Sequence, residues 1–268
     1  MTAANGYEFV EVGLPLRRRS WDLSPGSGEA VIEVAGCGVC HTDLGFVFDG
    51  VRTRQTLPLV LGHEVSGMVV AVGPDAAVSV GDAVVVPAVI PCGKCGECEA
   101  GHPMICPHQV MPGNDRDGGF ATHVCVPAHA LCVVPGVSGP DELLNPSGLT
   151  LRHLAVVADA VSTPYQALVR AGVSVGDLVV VVGLGGVGGY AVQLAHALGA
   201  VVVGLDIDAG KLEKASSLGA SLALDPSKAS PRDIRNTIRA FAKENGLPTT
   251  RWTLMECSGT APGQATAY

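Results

Sequence analysis

Four cysteines stand close together in the chain with the spacing of a metal site. Cys92, Cys95, Cys98 and Cys106 are four of the nine cysteines in the 268 residues. This spacing is typical of a closed, tetrahedral structural zinc site. Four unrelated thiols in so short a stretch are a poorer explanation, because Cys is a rare residue. Since thiolates would fill every coordination position, we expect no chemistry at this site.

A fifth cysteine and a histidine could hold a second metal ion that keeps an open position. Cys40 follows a strand-like run at 29–36, and His63 precedes another at 65–73. Thiolate and imidazole are both zinc ligands, and a catalytic zinc has three protein ligands and one open site. By themselves, however, Cys40 also fits a buried core thiol and His63 a core or surface histidine. The two residues alone leave both interpretations open.

A glycine-rich motif of the form GxGxxG could bind a dinucleotide. It comprises Gly183, Leu184, Gly185, Gly186, Val187 and Gly188. Gly183 would permit a tight turn, Gly185 the approach of a pyrophosphate, and Gly188 close packing of helix on strand. Asp206, at the end of the next predicted strand, could accept hydrogen bonds from a ribose and would repel a 2′-phosphate, which favours NAD over NADP. The alternatives are a turn that only packs and a solvated acid.

The elements that would position these residues change character near residue 155. Earlier sequence is rich in valine and in turns, with strand-like runs at 29–36, 65–73, 80–87 and 120–135. Later sequence predicts alternating helices and strands: a helix over 151–171, then strands at 177–182, 200–205, 221–224 and 252–256, with helices at 190–198, 211–218 and 233–245 between them. Alternation of this kind favours a parallel sheet. We therefore predict two domains, 1–155 and 156–268.

Composition and charge exclude several classes of protein. The chain is 47% hydrophobic with a net charge of −8, which is globular and disfavours nucleic acid or an anionic membrane as partner. It has no apolar run long enough to span a bilayer and no signal peptide at its start. These features predict a cytoplasmic protein, in which a disulfide framework is not expected.

Taken together, the motifs resemble the zinc-containing medium-chain dehydrogenase/reductase family of alcohol dehydrogenases. Residues 62–73 match the family's zinc signature, and residues 38–43 match its first-ligand motif. The cysteine cluster and the glycine motif follow in the expected order. The resemblance implies an α/β protein with a β-rich domain. A GroES-like, partly open β-barrel at 1–155 would precede a Rossmann doubly wound parallel sheet at 156–268, incomplete at its C-terminus.

The resemblance also implies a catalytic zinc held by Cys40, His63 and Asp159. Many family members have Cys at the third position and others have an acid, which here is Asp159. Glu64 would be a nearby acid that coordinates transiently or supports the ligands, and Asp43 would orient His63. The alternative for Asp159 is a solvated acid on a helix surface, because the motif is looser there.

Further roles follow from the same resemblance. Thr42 matches the hydroxyl that takes the substrate proton, His41 a contact to the cofactor pyrophosphate, and Lys211 a contact to the adenosine ribose. Thr42 could instead be an ordinary turn hydroxyl, and Lys211 an exposed helix lysine. Some members carry a relay histidine where this chain has Gly45. The proton would then leave by a ribose hydroxyl and water.

The activity implied is NAD-dependent hydride transfer from a secondary alcohol, with zinc at both metal sites. Several stretches resemble one subfamily, the 6-hydroxycyclohex-1-ene-1-carbonyl-CoA dehydrogenases of anaerobic benzoyl-CoA degradation; they are 86–92, 111–114, 154–160 and 232–235. An acyl-CoA substrate would want basic residues, for which Arg52 and Arg54 are candidates, although a solvated loop also explains them.

Two alternatives to this activity remain. The chain could be a zinc alcohol or polyol dehydrogenase acting on a substrate without CoA, or an inactive zinc-binding fragment. Family members continue well beyond this length, so we expect a C-terminally truncated chain and a homo-oligomer in the full-length form. A zinc lyase that transfers no hydride is disfavoured by the pairing of the glycine motif with Asp206.

Overall fold

The computed structural model describes residues 1–267. Contacts divide the chain into two compact units, Met1–Asp159 and Ala160–Tyr268, four residues later than the predicted boundary. The segment responsible is a 3₁₀ helix, Leu151–Ala158. Leu151 and Ala155 are buried in the first unit, and the carbonyl of Leu151 accepts a hydrogen bond from Ser66 at 2.6 Å. The segment therefore packs with the β-rich sequence.

The first unit contains eight strands among its described residues. They are β1 (Thr2–Phe9), β2 (Arg17–Leu23), β3 (Glu29–Gly38), β4 (Leu59–Val60), β5 (Glu64–Val72), β6 (Ala83–Val86), β7 (His123–Pro127) and β8 (Cys132–Val133). They form two antiparallel sheets, in the orders β2-β1-β4 and β7-β3-β5-β6-β8. The helices of this unit are short: α1 (His41–Phe48), α2 (Gly96–Glu99) and two 3₁₀ helices, Pro103–Ile105 and Leu151–Ala158.

The five-stranded sheet positions both halves of the candidate metal site. Its core contains Ile32 of β3 and Val65 of β5, which are fully buried. Gly67 faces β3 so closely that any β-carbon there would clash with the carbonyl of Glu33. Chain segments next to these two paired strands, the one after β3 and the one before β5, carry Cys40 and His63. The pairing of β3 with β5 therefore brings them together.

The second unit is a four-stranded parallel sheet. Its strands are β9 (Leu178–Val182), β10 (Val201–Leu205), β11 (Ala220–Leu224) and β12 (Trp252–Glu256), in the order β11-β10-β9-β12. Its α-helices are α3 (Ser162–Arg170), α4 (Gly186–Ala197), α5 (Ala209–Ser217), α6 (Pro231–Glu244) and α7 (Ala261–Ala267), and it has one short 3₁₀ helix, Pro226–Lys228. All five residues of the central strand β9 are buried, as expected when helices cover both faces of a parallel sheet.

Successive side chains of β9 reach opposite faces of the sheet. Val179 packs in a cluster with Ala191 of α4, whereas Val180 packs in a cluster with Ile234 of α6. The predicted doubly wound arrangement is therefore confirmed for the described residues. In such sheets ligands bind at the carboxyl ends of the strands, where β9 ends at Val182 and the glycine motif begins.

One predicted helix is wrong. The sequence predicted a single helix over 151–171, but the structure has a 3₁₀ helix at Leu151–Ala158 and a separate α3 at Ser162–Arg170. Pro164 lies in the first turn of α3. Proline is tolerated there because the first N–H groups of a helix have no partner within it, whereas in the interior of one continuous helix it would remove a hydrogen bond. The break leaves Asp159 at the end of the first segment.

Candidate metal centres and cofactor loop

Three separate chain segments present Cys40, His63 and Asp159. Cys40 is the residue that immediately precedes α1, with φ of −98° and ψ of 158°. His63 follows Gly62, whose φ of 95° is unfavourable for other residues. A β-carbon on Gly62 would also come within 2.6 Å of the ring of Phe120. Asp159 follows the last residue of the 3₁₀ helix Leu151–Ala158.

The ligand atoms of these three residues converge on one point. All lie within 4.8 Å of one another. Sγ of Cys40 is 3.6 Å from Oδ2 of Asp159, and Nε2 of His63 is 3.3 Å from the same oxygen. A tetrahedral zinc ion with Zn–S of about 2.3 Å and Zn–N or Zn–O of about 2.0–2.2 Å would place its ligands at separations of this order. The structure thus brings together all three residues that the family resemblance suggested as zinc ligands.

The imidazole of His63 is buried without conventional partners. His63 is 1% exposed, and neither ring nitrogen makes a well-formed hydrogen bond to any of residues 1–267. Buried polar atoms are rarely left in this state, because each lost hydrogen bond costs about 1–3 kcal/mol. A cation coordinated by Nε2 would satisfy one of the two nitrogens. The residues present therefore fit a zinc ion.

The charged groups around His63 also favour a positive charge at the imidazole. Burial alone would lower the pKa of His63, but the carboxylates of Asp159 and Asp43 outweigh it and raise the pKa to about 11. The cluster without metal thus holds a positive charge on the imidazole. A metal ion that binds Nε2 must displace that proton and would supply the positive charge instead.

Asp43 joins two of the ligand segments. Its carboxylate accepts hydrogen bonds from the backbone N–H of Cys40 at 3.0 Å and from that of Gly62 at 3.1 Å. It is 2% exposed, and its Oδ1 lies 3.6 Å from Nδ1 of His63. Asp43 is therefore placed to orient the imidazole, as the sequence comparison suggested, and it also fixes the spacing between Cys40 and His63.

The other residues singled out near this cluster occupy different environments. Oγ1 of Thr42 is 3.7 Å from Sγ of Cys40 and is exposed, and His41 is exposed beside it. Glu64 is 3% exposed at the start of β5, and its carboxylate lies so close to Gly38 that a β-carbon there would clash. Glu64 stands outside the three-residue cluster. Gly45 is buried within α1, so this position offers no titratable group.

The four cysteines form a second cluster. Their sulfur atoms all lie within 4.8 Å of one another, with 3.5 Å between Cys95 and Cys98 and 3.7 Å between Cys95 and Cys106. The N–H of Cys92 donates to Sγ of Cys106 at 3.3 Å and is the main cause that lowers the pKa of Cys106 to about 7. This arrangement suits thiolates around a closed structural zinc.

The loop that carries these cysteines is tied at its base by backbone hydrogen bonds. Ile90 and Val110 pair through two N–H to carbonyl bonds of 2.8 Å each. The Nε2–H of His129 donates to the carbonyl oxygen of Pro91 at 2.7 Å. The residues between are only briefly helical, at α2 and Pro103–Ile105. Such a loop has little core of its own, which a metal ion would replace.

The glycine motif forms the turn from β9 into α4. Gly183 has φ of 86°, and a β-carbon on Gly188 would clash with its carbonyl oxygen. A β-carbon on Gly185, by contrast, would meet nothing within 4 Å. These three environments match the turn, packing and ligand-approach roles that the motif predicts. The open space beside Gly185 is where a pyrophosphate would fit.

Asp206 holds the same turn from the neighbouring strand. One carboxylate oxygen accepts from the N–H of Leu184 at 2.7 Å and the other from Asp208 at 3.0 Å. Nζ of Lys211 is 3.7 Å from Oδ2. Asp206 is 9% exposed and, with Gly183, Gly185 and Lys211, lines a pocket of about 560 Å³. The carboxylate is therefore already engaged with backbone before any ligand binds.

Sequence reasoning missed another part of this pocket. Cys257, Ser258 and Thr260, which follow β12, line it together with the glycine motif. No motif marks them. Their position at the carboxyl end of a parallel strand beside β9 is the signal that could have found them, since such ends meet at one edge of the sheet.

One of the two candidate basic residues, Arg54, has partners in the neighbouring loop. Nη1 of Arg54 lies 3.3 Å from Asp115, and the backbone N–H of Arg54 donates to Asn114 at 2.9 Å. Arg54 therefore ties its loop to the neighbouring one and is not an unpaired cation.

Among residues 1–267, no helix is both long and apolar enough to cross a bilayer.

Comparisons with known proteins extend these observations. Residues 26–136 match the alcohol dehydrogenase GroES-like domain, and residues 186–268 match the zinc-binding dehydrogenase model. An alcohol dehydrogenase from Geobacillus stearothermophilus is 36% identical over 206 residues, covering 76% of this chain and 58% of that protein. A sorbitol dehydrogenase from Halalkalibacterium halodurans is 30% identical over 243 residues, covering 89% and 65%.

A solved structure shows the same fold. The crystal structure of galactitol-1-phosphate dehydrogenase from Escherichia coli aligns with a TM-score of 0.82 at 25% identity, covering 98% of this chain and 71% of that one. The chain spans less than two thirds of the length of the two curated relatives. The predicted combination of a GroES-like domain with a Rossmann sheet is confirmed, and zinc and NAD(P) are the cofactors typical of such proteins. The chain belongs to the zinc-dependent medium-chain alcohol dehydrogenase family.

Proposed function

We propose that this protein is a zinc-dependent oxidoreductase that transfers a hydride from a secondary alcohol to NAD⁺. The observation that carries the proposal is the convergence of the ligand atoms of Cys40, His63 and Asp159, with the imidazole of His63 buried and neither of its nitrogens in a well-formed hydrogen bond to residues 1–267. Three protein ligands leave a fourth position open, which is the arrangement of catalytic zinc sites. The cysteine cluster, with four ligands, would be purely structural.

Each residue of the proposed site has a distinct task. Cys40, His63 and Asp159 would hold zinc, and Asp43 would keep the imidazole of His63 in the orientation that coordination needs. A bound zinc ion would act as a Lewis acid that lowers the pKa of the substrate alcohol. Glu64, which is buried at the start of β5 next in sequence to His63, would contribute negative charge to the surroundings.

Proton transfer would pass through Thr42. Its hydroxyl is exposed and lies 3.7 Å from Sγ of Cys40, so a substrate hydroxyl that entered the open position could donate its proton to Oγ1. Gly45 cannot take the proton further. A ribose hydroxyl of the cofactor and water would complete the route.

The cofactor would bind at the glycine motif, with NAD preferred to NADP. The open space beside Gly185 and the carboxylate of Asp206 support this assignment. A 2′-phosphate would meet the negative charge of Asp206, which is 9% exposed and cannot easily move away. Lys211 would contact the adenosine ribose from its position 3.7 Å from that carboxylate.

The substrate class is an alcohol or a polyol. One relative is named for sorbitol and one solved neighbour for galactitol 1-phosphate, which supports a small hydroxylated substrate. The narrower candidate is 6-hydroxycyclohex-1-ene-1-carbonyl-CoA. It is favoured by the four resembling stretches of sequence, whereas Arg54, one of the two cations suggested for a CoA group, is paired with Asp115 at the surface. A cytoplasmic location and a homo-oligomeric protein belong to the same proposal.

Zinc stoichiometry tests the ligand assignment without requiring turnover. We expect the zinc-loaded chain to contain two zinc ions, and Cys40→Ser or Cys98→Ser to leave one, because each removes a thiolate from a different cluster. Cys132→Ser is the matched control, since Cys132 is exposed and outside both clusters. Inductively coupled plasma mass spectrometry gives the metal content. Two ions retained in Cys40→Ser would refute the assignment of the Cys40 cluster.

Substitution of Thr42 tests the activity. Thr42→Val should lower kcat by about 100-fold because it removes the proton acceptor, whereas Thr42→Ser should retain most activity. Thr237→Val, which alters an exposed helix hydroxyl, is the control. NADH formation should be followed with secondary alcohols, polyols and a cyclic hydroxyacyl-CoA thioester. Turnover confined to the thioester would favour the narrower substrate, and two bound zinc ions with no NADH formation would favour an inactive fragment.

Asp206→Ala tests the cofactor site. We expect NADH to bind about tenfold more weakly, because the acceptor for the ribose hydroxyls is lost. The ratio of NADH affinity to NADPH affinity should also fall, because the carboxylate that repels the 2′-phosphate is gone. Glu213→Ala, an exposed change on α5, should leave both affinities unchanged. Titration of NADH and NADPH fluorescence provides the measurement. Unchanged NADH affinity in Asp206→Ala would overturn the assignment.

A further inference from the structure

The loop that follows β12 is organised by one carboxylate. We call residues 256–260 the β12 loop. Oε1 of Glu256 accepts from the N–H of Ser258 at 2.8 Å and from its hydroxyl at 2.5 Å, and Oε2 accepts from the N–H of Gly259 at 3.4 Å. Three donors from adjacent residues therefore turn toward one side chain. The carboxylate of Glu256 is therefore the common acceptor for this turn.

Ser258 connects Glu256 to the start of α7 through a chain of hydrogen bonds. Its hydroxyl oxygen accepts from the N–H of Thr260 at 3.2 Å, and Oγ1 of Thr260 accepts from the N–H of Gly263 at 3.1 Å. A β-carbon on Gly263 would clash with Oγ of Ser258. The hydrogen bonds therefore run without a gap from Glu256 to the first turn of α7.

The same loop braces the glycine turn. A β-carbon on Gly183 would lie 2.5 Å from the backbone nitrogen of Ser258 and 2.6 Å from its Cα. One on Gly188 would lie 3.3 Å from Cβ of Cys257, whose N–H donates to the carbonyl of Val182 at 2.7 Å. The β12 loop and the glycine motif are thus in backbone contact. The position of Ser258 therefore limits the space that the turn at Gly183 can occupy.

Both segments line one pocket. Gly183, Gly185 and Asp206 share the cavity of about 560 Å³ with Ser258 and Thr260. Burial alone would raise the pKa of Glu256, but the hydrogen bonds from Ser258 and Gly259 outweigh it and hold the pKa below its usual range. Glu256 is therefore ionised at neutral pH and is a strong acceptor for its three donors.

We propose that Glu256 is a positioning residue of the cofactor site: through Ser258 it fixes the β12 loop, and the loop fixes the glycine turn that receives NAD. This inference rests on the proposed function, because NAD is the ligand it concerns. Glu256 itself is not assigned a contact with the cofactor or with the reacting atoms. Its effect should therefore show in cofactor affinity and not in metal content.

The experiment measures NADH binding by the full chain with three variants and one control. Glu256→Ala removes every acceptor, Glu256→Gln keeps Oε1 but loses the charge, and Ser258→Ala cuts the link between Glu256 and Thr260. Glu244→Ala is the control, because Glu244 is exposed at the end of α6 and does not line the pocket. Zinc content and thermal unfolding are recorded for each variant, so that binding is compared only among folded proteins.

We expect the dissociation constant of NADH to rise about tenfold in Glu256→Ala and about threefold in Glu256→Gln and Ser258→Ala, with Glu244→Ala within about twofold of the unaltered chain. Partial rescue by glutamine would distinguish positioning from a general loss of stability, which would lower the unfolding temperature without changing the affinity of the folded fraction. Zinc content should stay at two in all variants.

Two results would contradict the inference. If the unaltered chain binds NADH and folded Glu256→Ala binds it equally well, Glu256 has no positioning role, and the proposed function is untouched. If the unaltered chain binds no NADH, both the proposed function and this role fail. The two failures are therefore distinguishable in a single titration series.

Discussion

The burial of the His63 imidazole is the constraint on which the candidate site depends. At 1% exposure the ring is shielded from solvent, and neither nitrogen makes a well-formed hydrogen bond to residues 1–267, although Asp159 and Asp43 lie 3.3 and 3.6 Å away. Its neighbours are a thiol and two carboxylates, which favour a positive charge at this position. A proton on the ring or a metal ion at Nε2 can supply that charge, and only the metal would also unite Cys40 and Asp159.

The elements around His63 hold Cys40 and His63 close together. The β3–β5 pairing sets the distance between the segments that carry Cys40 and His63, and Gly67 permits that pairing because a larger residue would clash with Glu33. Asp43 then locks the two segments through the backbone N–H groups of Cys40 and Gly62. The cysteine cluster differs in kind, because there the metal would order a loop whose own core is small. The fold itself positions Cys40, His63 and Asp159, whereas a metal ion bound by the four cysteines would stabilise the loop that carries them.

The parts of this molecule that sequence could predict are those set by local chemistry. The spacing of the cysteines, the glycine motif and the acid of Asp206 each follow from what a ligand requires of nearby residues. The alternating pattern after residue 155 likewise predicted β9 to β12 within a few residues, because buried parallel strands read as continuous apolar runs. Asp159 was suggested only by family resemblance, since its proximity to Cys40 depends on tertiary contacts.

Other features depend on packing that no local pattern reports. The helix predicted over 151–171 is broken before α3, where Pro164 occupies the first turn. The β12 loop enters the cofactor pocket only because β12 pairs with β9, and the ion pair between Arg54 and Asp115 joins loops that are distant in sequence. In each case the outcome depends on which chain segments pack or pair with one another, and the local sequence does not report this.

The most direct test of the central claim is to locate zinc in crystals of the metal-loaded chain by anomalous scattering at the zinc edge. We predict a peak bonded to Sγ of Cys40, Nε2 of His63 and a carboxylate oxygen of Asp159, with distances of about 2.3 Å to sulfur and about 2.0–2.2 Å to nitrogen and oxygen. A second peak should lie among the four cysteines. A zinc-loaded crystal with density only in the cysteine cluster, and His63 bonded to protein groups alone, would contradict the account.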